Sequence, residues 1–142
     1  MASSYSDAGR KGAADLLPRL YEAVGWGDGR SPDWDSFRAC CHPQCLLVPM
    51  GTGVAAPLAV EQFIEGMEAQ RTSGALASLR EREIGNAVVG YGDLASVRST
   101  FVAEIAGVER RGVTFAIMAR DGDEWLILSA SWENERDEEP LP

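Results

Sequence analysis

The sequence has few of the features that are typical of membrane proteins, secreted proteins or metal-binding proteins. It has no run of about 18 apolar residues, and residues 1–12 are small and polar, so we expect neither a membrane-spanning helix nor a secretion signal. Its single histidine, His42, lies among its three cysteines, at positions 40, 41 and 45, and no second group of ligands occurs elsewhere. We therefore expect no metal site, reduced thiols and a cytoplasmic location.

Positive charge is also scarce. The chain has 13 lysine and arginine residues against 22 aspartate and glutamate residues, and the net charge of -9 repels phosphate groups. We therefore expect neither nucleic acid nor a membrane surface as a partner. No phosphate-binding loop, dinucleotide-binding glycine pattern or serine nucleophile motif occurs, so we expect no cofactor.

The 142-residue sequence does contain a clear change of hydrophobic period. Apolar residues recur at helical spacing up to about residue 70 and alternate as in strands from about residue 79. This order predicts one α+β domain, with N-terminal helices packed on an antiparallel sheet. We expect a flexible leader at 1–12, the domain at 13–135 and a solvated acidic tail at 136–142. Helices are expected at 13–24, after Pro32 and at 58–70, and strands at 45–50, 79–89, 94–105, 112–120 and 125–134.

Short motifs along these elements carry a resemblance to a known family. They are Tyr21-Glu22-Ala23, Gly27-Asp28, His42-Pro43, Pro49-Met50-Gly51, and the run from Asp121 to Trp125 that leads to Trp132 and Glu133. In order and spacing the chain resembles the nuclear transport factor 2-like superfamily, which includes SnoaL-like polyketide cyclases and ketosteroid isomerases. The resemblance covers about residues 16–135. It implies a sheet curved into a cone around a pocket for a small organic ligand, with a second subunit on the opposite sheet face.

The resemblance also bears on the chemistry. Ketosteroid isomerases use a tyrosine, a carboxylate base and a protonated carboxylic acid, and these positions correspond here to Tyr21, about Val48 and about Ala116. Neither valine nor alanine can transfer a proton, so that arrangement is not expected. We expect a SnoaL-like protein that binds a small molecule, as a cofactor-free lyase, isomerase, cyclase or hydrolase acting on a hydrophobic or polyketide-like metabolite. The alternative is a non-catalytic ligand-binding or dimerisation module of the same fold.

Alternation in the strands leaves two arrangements of the sheet open, because residues two apart share a face. The strand at 94–105 has one apolar face and one mixed polar face, and the last strand shows the same split. The polar set lies inward in one arrangement and outward in the other. The resemblance favours the inward placement, in which Arg98 pairs with Glu104 or Glu133 and these residues act with Tyr21 as the catalytic groups. The substrate-binding residues expected beside them are Thr100, Arg120, Ser129 and Ser131.

Two further expectations concern the pocket mouth and the assembly. Large side chains outside the strands are candidates for lining the mouth, although such residues more often belong to the core; they are Trp26, Trp34, Met50 and Met67. His42 is expected to cap the second helix rather than to act in catalysis. The apolar strand face predicts a homodimer, because helices cover only one face of a sheet. The residues assigned to that dimer face are Phe101, Ile117, Leu128 and Trp132.

Overall fold

The structure is a computed structural model that describes residues 7–51 and 53–142. It begins with two helices, α1 (Asp7–Ala14) and α2 (Leu16–Val24). Residues 7–12 are therefore helical where the sequence predicted a flexible leader, and residues 1–6 of that leader lie outside the described residues. Pro18 falls in the first turn of α2, where a missing backbone N–H costs no intrahelical hydrogen bond. The helix expected at 13–24 is thus interrupted at Asp15.

The middle of the chain adds two helices and two strands: α3 (Trp34–Ala39), β1 (Cys41–Pro49), β2 (Leu58–Ala59) and α4 (Val60–Thr72). Asp33 caps α3, since its carboxylate accepts the Ser36 amide at 3.1 Å. The Ala59 amide at the start of α4 donates to the Gln62 side chain at 2.8 Å. The strand expected at 45–50 already begins at Cys41, directly after α3.

Four long strands complete the domain: β3 (Leu79–Tyr91), β4 (Leu94–Ile105), β5 (Val108–Asp121) and β6 (Glu124–Asn134). They form the predicted antiparallel meander, and the sheet order is β2-β1-β6-β5-β4-β3. β1 pairs parallel to β6, so the six-stranded sheet is mixed rather than wholly antiparallel. The predicted α+β class, with helices first and the sheet after, is confirmed.

Tight turns and irregular pairings give the sheet its shape. Ala106 and Gly107 both have positive φ, as the type I′ two-residue hairpin turn requires, and they join β4 to β5 directly. The pairing register shifts between Glu83 and Gly85 in β3, and again where β5 meets β6. Such irregularities bend and twist a strand, and the sheet is curved and open rather than a closed barrel.

The core lies between the concave face of this sheet and the helices. Fully buried side chains from α2, α3, β1 and β4 meet there, including Leu17, Phe37, Leu47 and Phe101. These aromatic and aliphatic groups hold the N-terminal helices against the sheet through burial of apolar surface. Among the described helices, none is long and apolar enough to cross a membrane.

Candidate functional site

A cavity of about 330 Å³ lies between the helices and the concave face of the sheet. Its size falls at the lower end of the range of small-molecule sites, about 300–1,000 Å³. Its walls are mainly apolar and include four aromatic rings besides that of Tyr21. These are Phe37, Phe63, Phe101 and Trp132. Phe63 stacks on Phe37 at 5.4 Å and meets Trp132 edge to face at 5.6 Å, so the ring positions support one another.

The apolar face of the sheet, not the polar one, lines this cavity. Along β4, Ala95, Val97, Phe101 and Ala103 are buried, whereas Arg98 and Glu104 on the other face are exposed. The favoured sequence interpretation, with the polar set inward, is therefore wrong. Burying that set would have removed several charges from water without fixed partners, which costs several kcal/mol for each ion.

The proposed charged cluster does not converge. Arg98 lies opposite Phe115 on the outer face of the sheet, and Glu133 pairs with Arg136 instead of Arg98. Glu104 lines a second, more polar depression of about 290 Å³, which shares Tyr21 and Glu81 with the cavity and also contains Arg30 and other charged groups. Of the four residues expected to act in catalysis, only Tyr21 lines the apolar cavity.

The expected substrate-binding residues divide in the same way. None of the four polar residues expected to bind substrate lines the cavity; they are Thr100, Arg120, Ser129 and Ser131. Arg120 instead pairs at the surface with Asp93 at 3.0 Å. Met67 lines the cavity, whereas the other three large side chains do not. Trp26 is buried in the core and donates to the Leu76 carbonyl at 3.0 Å. Trp34 packs edge to face on Phe37, and Met50 is half-buried beyond the end of β1.

Tyr21 anchors a hydrogen-bond network inside the fold. Its hydroxyl lies 3.0 Å from Ser99 Oγ and 2.9 Å from Thr114 Oγ1, both of them buried. Ser99 donates in turn to the Glu83 carboxylate at 2.7 Å, which leaves the Ser99 oxygen to accept the single Tyr21 proton. Burial raises the pKa of Tyr21 to about 12, so the phenol keeps its proton at neutral pH.

Glu81 is the ionisable group that sequence reasoning missed. It projects from β3 into the wall of the cavity that also holds Tyr21, and its carboxyl has no hydrogen bond or ion pair among the described residues. Desolvation by burial raises the pKa of Glu81 from 4.5 to about 7. At neutral pH the site therefore contains both the acid and the base form of one carboxyl group.

One signal in the sequence points to Glu81 in retrospect. Leu79 and Glu81 are two residues apart on a strand and so share a face, and Glu81 pairs in register with the buried Ala103. The run LRERE alternates charge at every position except Leu79, and it therefore resembles a solvated edge strand. Only the pairing with β4 identifies which of its charged residues lies inward.

The mouth of the cavity is polar but carries no net charge. Its exposed lining residues are Gln62, Gly66 and Gln70 on α4, and Asn134 at the end of β6. No lysine or arginine lines the cavity within the part of the chain that is described. A ligand therefore meets carboxamide groups at the entrance and apolar walls behind them.

The cysteine and histidine cluster provides no metal site. No group of three or more potential ligands comes together among residues 7–51 and 53–142. The Cys41 thiol donates a hydrogen bond to Cys45, which raises the pKa of Cys41 and lowers that of Cys45. His42 lies in β1, where its Nδ1 accepts a hydrogen bond from the Gln44 amide at 3.0 Å. Contrary to the expectation from the sequence, it does not cap the preceding helix, α3.

Comparison with known proteins agrees with this architecture. No protein-family profile and no curated protein matches the sequence. A cystatin-like protein of unknown function from Nostoc punctiforme superposes with a TM-score of 0.72 at 12% identity, covering 93% of this chain and 95% of that one. A nuclear transport factor 2-like protein of unknown function from Pseudomonas putida gives 0.71 at 15%, covering 96% and 95%.

This chain has the nuclear transport factor 2-like, cystatin-like fold. The resemblance inferred from the motifs is thus confirmed at the level of the fold. A third similar structure carries the provisional name aromatic ring hydroxylase and comes from Novosphingobium aromaticivorans. It has a TM-score of 0.71 at 20% identity and covers 92% of this chain and 91% of that one. At identities this low, structural similarity establishes only the fold, so any reaction has to be inferred from the residues of the cavity.

Proposed function

We propose that this protein is a cofactor-free enzyme, of the isomerase, cyclase or lyase type, that moves a proton next to a carbonyl group of a small apolar molecule. The observation that carries this proposal is the Glu81 carboxyl, which lies in the wall of an apolar cavity with the Tyr21 hydroxyl and without a partner among the described residues. A general base works best when its pKa lies near the working pH, and the pKa of about 7 for Glu81 meets that condition.

The proton transfer is assigned to Glu81 and the stabilisation of charge to two hydroxyl groups. Ionised Glu81 takes the proton from the carbon, and the electron pair of the C–H bond moves into the carbonyl group to give an enolate. The hydroxyls of Tyr21 and Thr114, which both line the cavity, exchange their present hydrogen bonds, to Ser99 and to Tyr21, for hydrogen bonds to the enolate oxygen as it forms. Protonated Glu81 then returns the proton to the same or another carbon, so the step consumes no oxidant or reductant.

The cavity walls indicate the class of substrate. Five aromatic rings, that of Tyr21 included, and aliphatic side chains from α2, β1 and β4 surround the space, which suits a hydrophobic, ring-containing or polyketide-like molecule. The similar structure provisionally named an aromatic ring hydroxylase agrees with a ligand of this type. A lyase, a cyclase and an isomerase can each begin with the same enolate, so the bound substrate determines which reaction follows.

Deuterium exchange tests this assignment without knowledge of the natural substrate. Neutral aromatic ketones and lactones are incubated with the protein in D₂O, and loss of the α-proton signal is followed by NMR. We expect Glu81→Gln to lower the exchange rate by a factor of about 10² or more, the usual contribution of a general base. Glu104→Gln, on the next strand and outside the apolar cavity, is the matched control and should exchange like wild type. Exchange that survives in Glu81→Gln refutes the role of this carboxyl, and ligand binding without exchange in wild type supports the non-catalytic alternative.

We also propose that the protein forms a homodimer through the outer face of the sheet. A cross-strand row there runs through Val89, Ser96, Ile117, Ser129 and Leu46, in which apolar residues alternate with small serines. The exposed fractions of Leu46, Ile117 and Val89 are 46%, 41% and 65%. Such a partly apolar face suits an isologous contact between two copies.

The residues of this surface differ from those expected from the sequence. Phe101 and Trp132 face the cavity, so their assignment to the dimer face is wrong, whereas Ile117 does lie on the outer face. Phe115, with 57% of its surface exposed, lies on the outer face as well. Phe115→Glu should give a monomer in sedimentation velocity runs where wild type sediments as a dimer. A monomeric wild type at micromolar concentration would remove the proposal.

A cytoplasmic location remains part of this proposal. All three cysteines, Cys40, Cys41 and Cys45, are buried free thiols, as expected of a protein kept in a reducing compartment.

A further inference from the structure

The face of α4 that borders the cavity contains an unusual residue. Gln62, Gly66 and Gln70 follow one another at intervals of four, so they form one stripe along the helix, and all three are exposed and line the cavity. Phe63 and Met67, the half-buried neighbours of this stripe, line the cavity too. The stripe is therefore the helical side of the entrance, and Gly66 is its midpoint.

Packing gives no reason for a glycine at this position. Gly66 lies in the interior of a 13-residue helix, where glycine is less favourable than every residue except proline. No neighbouring element approaches it, since a Cβ added there meets nothing within 4 Å. Its φ is not in the left-handed region that would favour glycine. A side chain at this position would occupy empty space between Gln62 and Gln70, at the entrance itself.

The chemistry around the entrance restricts the charge of a ligand. The lining residues at the mouth end in neutral carboxamides, which donate and accept hydrogen bonds but carry no charge. The side chains of Gln70 and Asn134 have no hydrogen-bond partner in the described part of the chain. The ionisable groups of the lining are Tyr21 and Glu81. On the same helix as the entrance, Glu61 and Glu68 are paired with Arg38 and Arg71, and Glu65 adds a further carboxylate. No cation lines the cavity among the described residues, so an anionic ligand would lie beside Glu81 without a compensating charge.

We propose that Gly66 keeps the entrance open and that the entrance selects neutral molecules, whose outer polar group binds the carboxamides of Gln70 and Asn134. The inference rests on the proposed function, because it concerns access to the same cavity. It adds that the substrate is not a carboxylate or a phosphate ester, and that it has a second hydrogen-bonding group, which contacts Gln70 and Asn134.

Binding of 6-propionyl-2-dimethylaminonaphthalene, a neutral ketone whose fluorescence rises in apolar surroundings, tests the role of Gly66. Gly66→Leu should weaken binding or slow association by about ten-fold or more, because its side chain fills the entrance. Ala69→Leu is the matched control and should bind like wild type, because Ala69 lies three residues further along α4 and does not line the cavity. Gly66→Ala should raise the melting temperature through helix propensity and retain most of the binding.

Competition against the same probe tests the selection by charge. 2-Acetylnaphthalene and 2-naphthoate have the same ring system, but only the second is anionic at pH 8. We expect the carboxylate to need a concentration at least about ten-fold higher than the ketone to displace the probe. The Gln70→Leu and Asn134→Leu variants should lower the affinity of a naphthyl ketone that carries a hydroxyl at its far end more than that of 2-acetylnaphthalene itself.

The outcomes separate this inference from the proposed catalysis. Unchanged affinity and association rate in a folded Gly66→Leu variant overturn the role of Gly66, and equal or tighter binding of 2-naphthoate overturns the selection by charge. Neither result affects the assignment of Glu81, which is tested by deuterium exchange. Glu81→Gln should bind the probe with nearly the affinity of wild type, because glutamine has the shape of the protonated acid. Loss of binding in Glu81→Gln alone would instead place the ligand's main contact at Glu81 and overturn the proposed contacts at the entrance.

Discussion

Replacing Glu81 by glutamine should make the protein more stable at neutral and alkaline pH. The pKa of this carboxyl is raised from 4.5 to about 7 in the folded protein, because the charged form is held in the apolar wall of the cavity. Between those two pH values the folded chain binds a proton that the unfolded chain has already released. The stability of the wild-type protein therefore falls as pH rises through this window and is constant above it with respect to this group.

The size of the effect follows from the shift. A rise from 4.5 to about 7 corresponds to about 3 kcal/mol of unfolding free energy, at 1.36 kcal/mol for each pKa unit. Glutamine resembles the neutral acid in shape and has no charge to desolvate. Glu81→Gln should therefore gain up to about 3 kcal/mol over wild type at pH 8, or roughly 6–12 °C in melting temperature for a chain of this length. The gain should shrink towards zero as pH falls to 4.5.

Urea denaturation from pH 5 to 8.5, followed by tryptophan fluorescence, measures this difference directly. The exposed Glu104→Gln is the control, and its effect on stability should stay within about 0.5 kcal/mol. A Glu81→Gln variant that is less stable than wild type at pH 8 would refute the reasoning, since it would mean that the ionised carboxylate has a stabilising partner in the folded protein. A gain of the same size at every pH would show that ionisation of Glu81 is not its cause. Stability gained together with lost exchange activity is the pattern expected of a group that is strained for function.

Two further predictions concern the walls of the cavity. Gly112→Ala should lower the unfolding free energy by about 1–3 kcal/mol, because the added Cβ would lie 2.3 Å from the Phe101 ring and 2.9 Å from the Glu133 carbonyl oxygen. Gly85→Ala, where nothing lies within 4 Å, is its control, and equal effects of the two in thermal denaturation would contradict the packing argument. Tyr21→Phe should cost about 1–2 kcal/mol, because the buried Thr114 hydroxyl loses the hydrogen bond that it makes to Tyr21. A loss under about 0.5 kcal/mol in urea denaturation would mean that Thr114 finds another partner.

The elements of this fold were largely predictable, because each depends on local sequence. Periodicity located α2, α4 and the four long strands, and Gly-rich or Asp-rich turns separated the strands. The leader was harder to predict, since α1 has only eight residues and is made largely of alanine, glycine and charged residues, and that helix packs beside Trp125 of a distant strand. Tertiary contact of this kind overrides weak local preference.

The faces of the strands could not be read from alternation alone. Leu128 lies at a register shift between β5 and β6, so Ile127 is buried on the same side as Ala130 although the two are three residues apart. A strict period of two assigns these residues to opposite faces. One inserted residue thus reverses the parity of a strand, and the sequence does not mark where the insertion lies.

By itself the sequence determined the order of helices and strands, the family resemblance and the candidate Tyr21, because these follow from local spacing and recognisable motifs. Only the tertiary structure decided that the apolar face lines the cavity, that Arg98 and Glu104 lie outside it, and that Glu81 lies within its wall. The physical reason is the cost of burial. Each strand has two faces, and the helices cover the face whose burial leaves few charges unpaired. Which face this is depends on the assembled sheet rather than on any one strand.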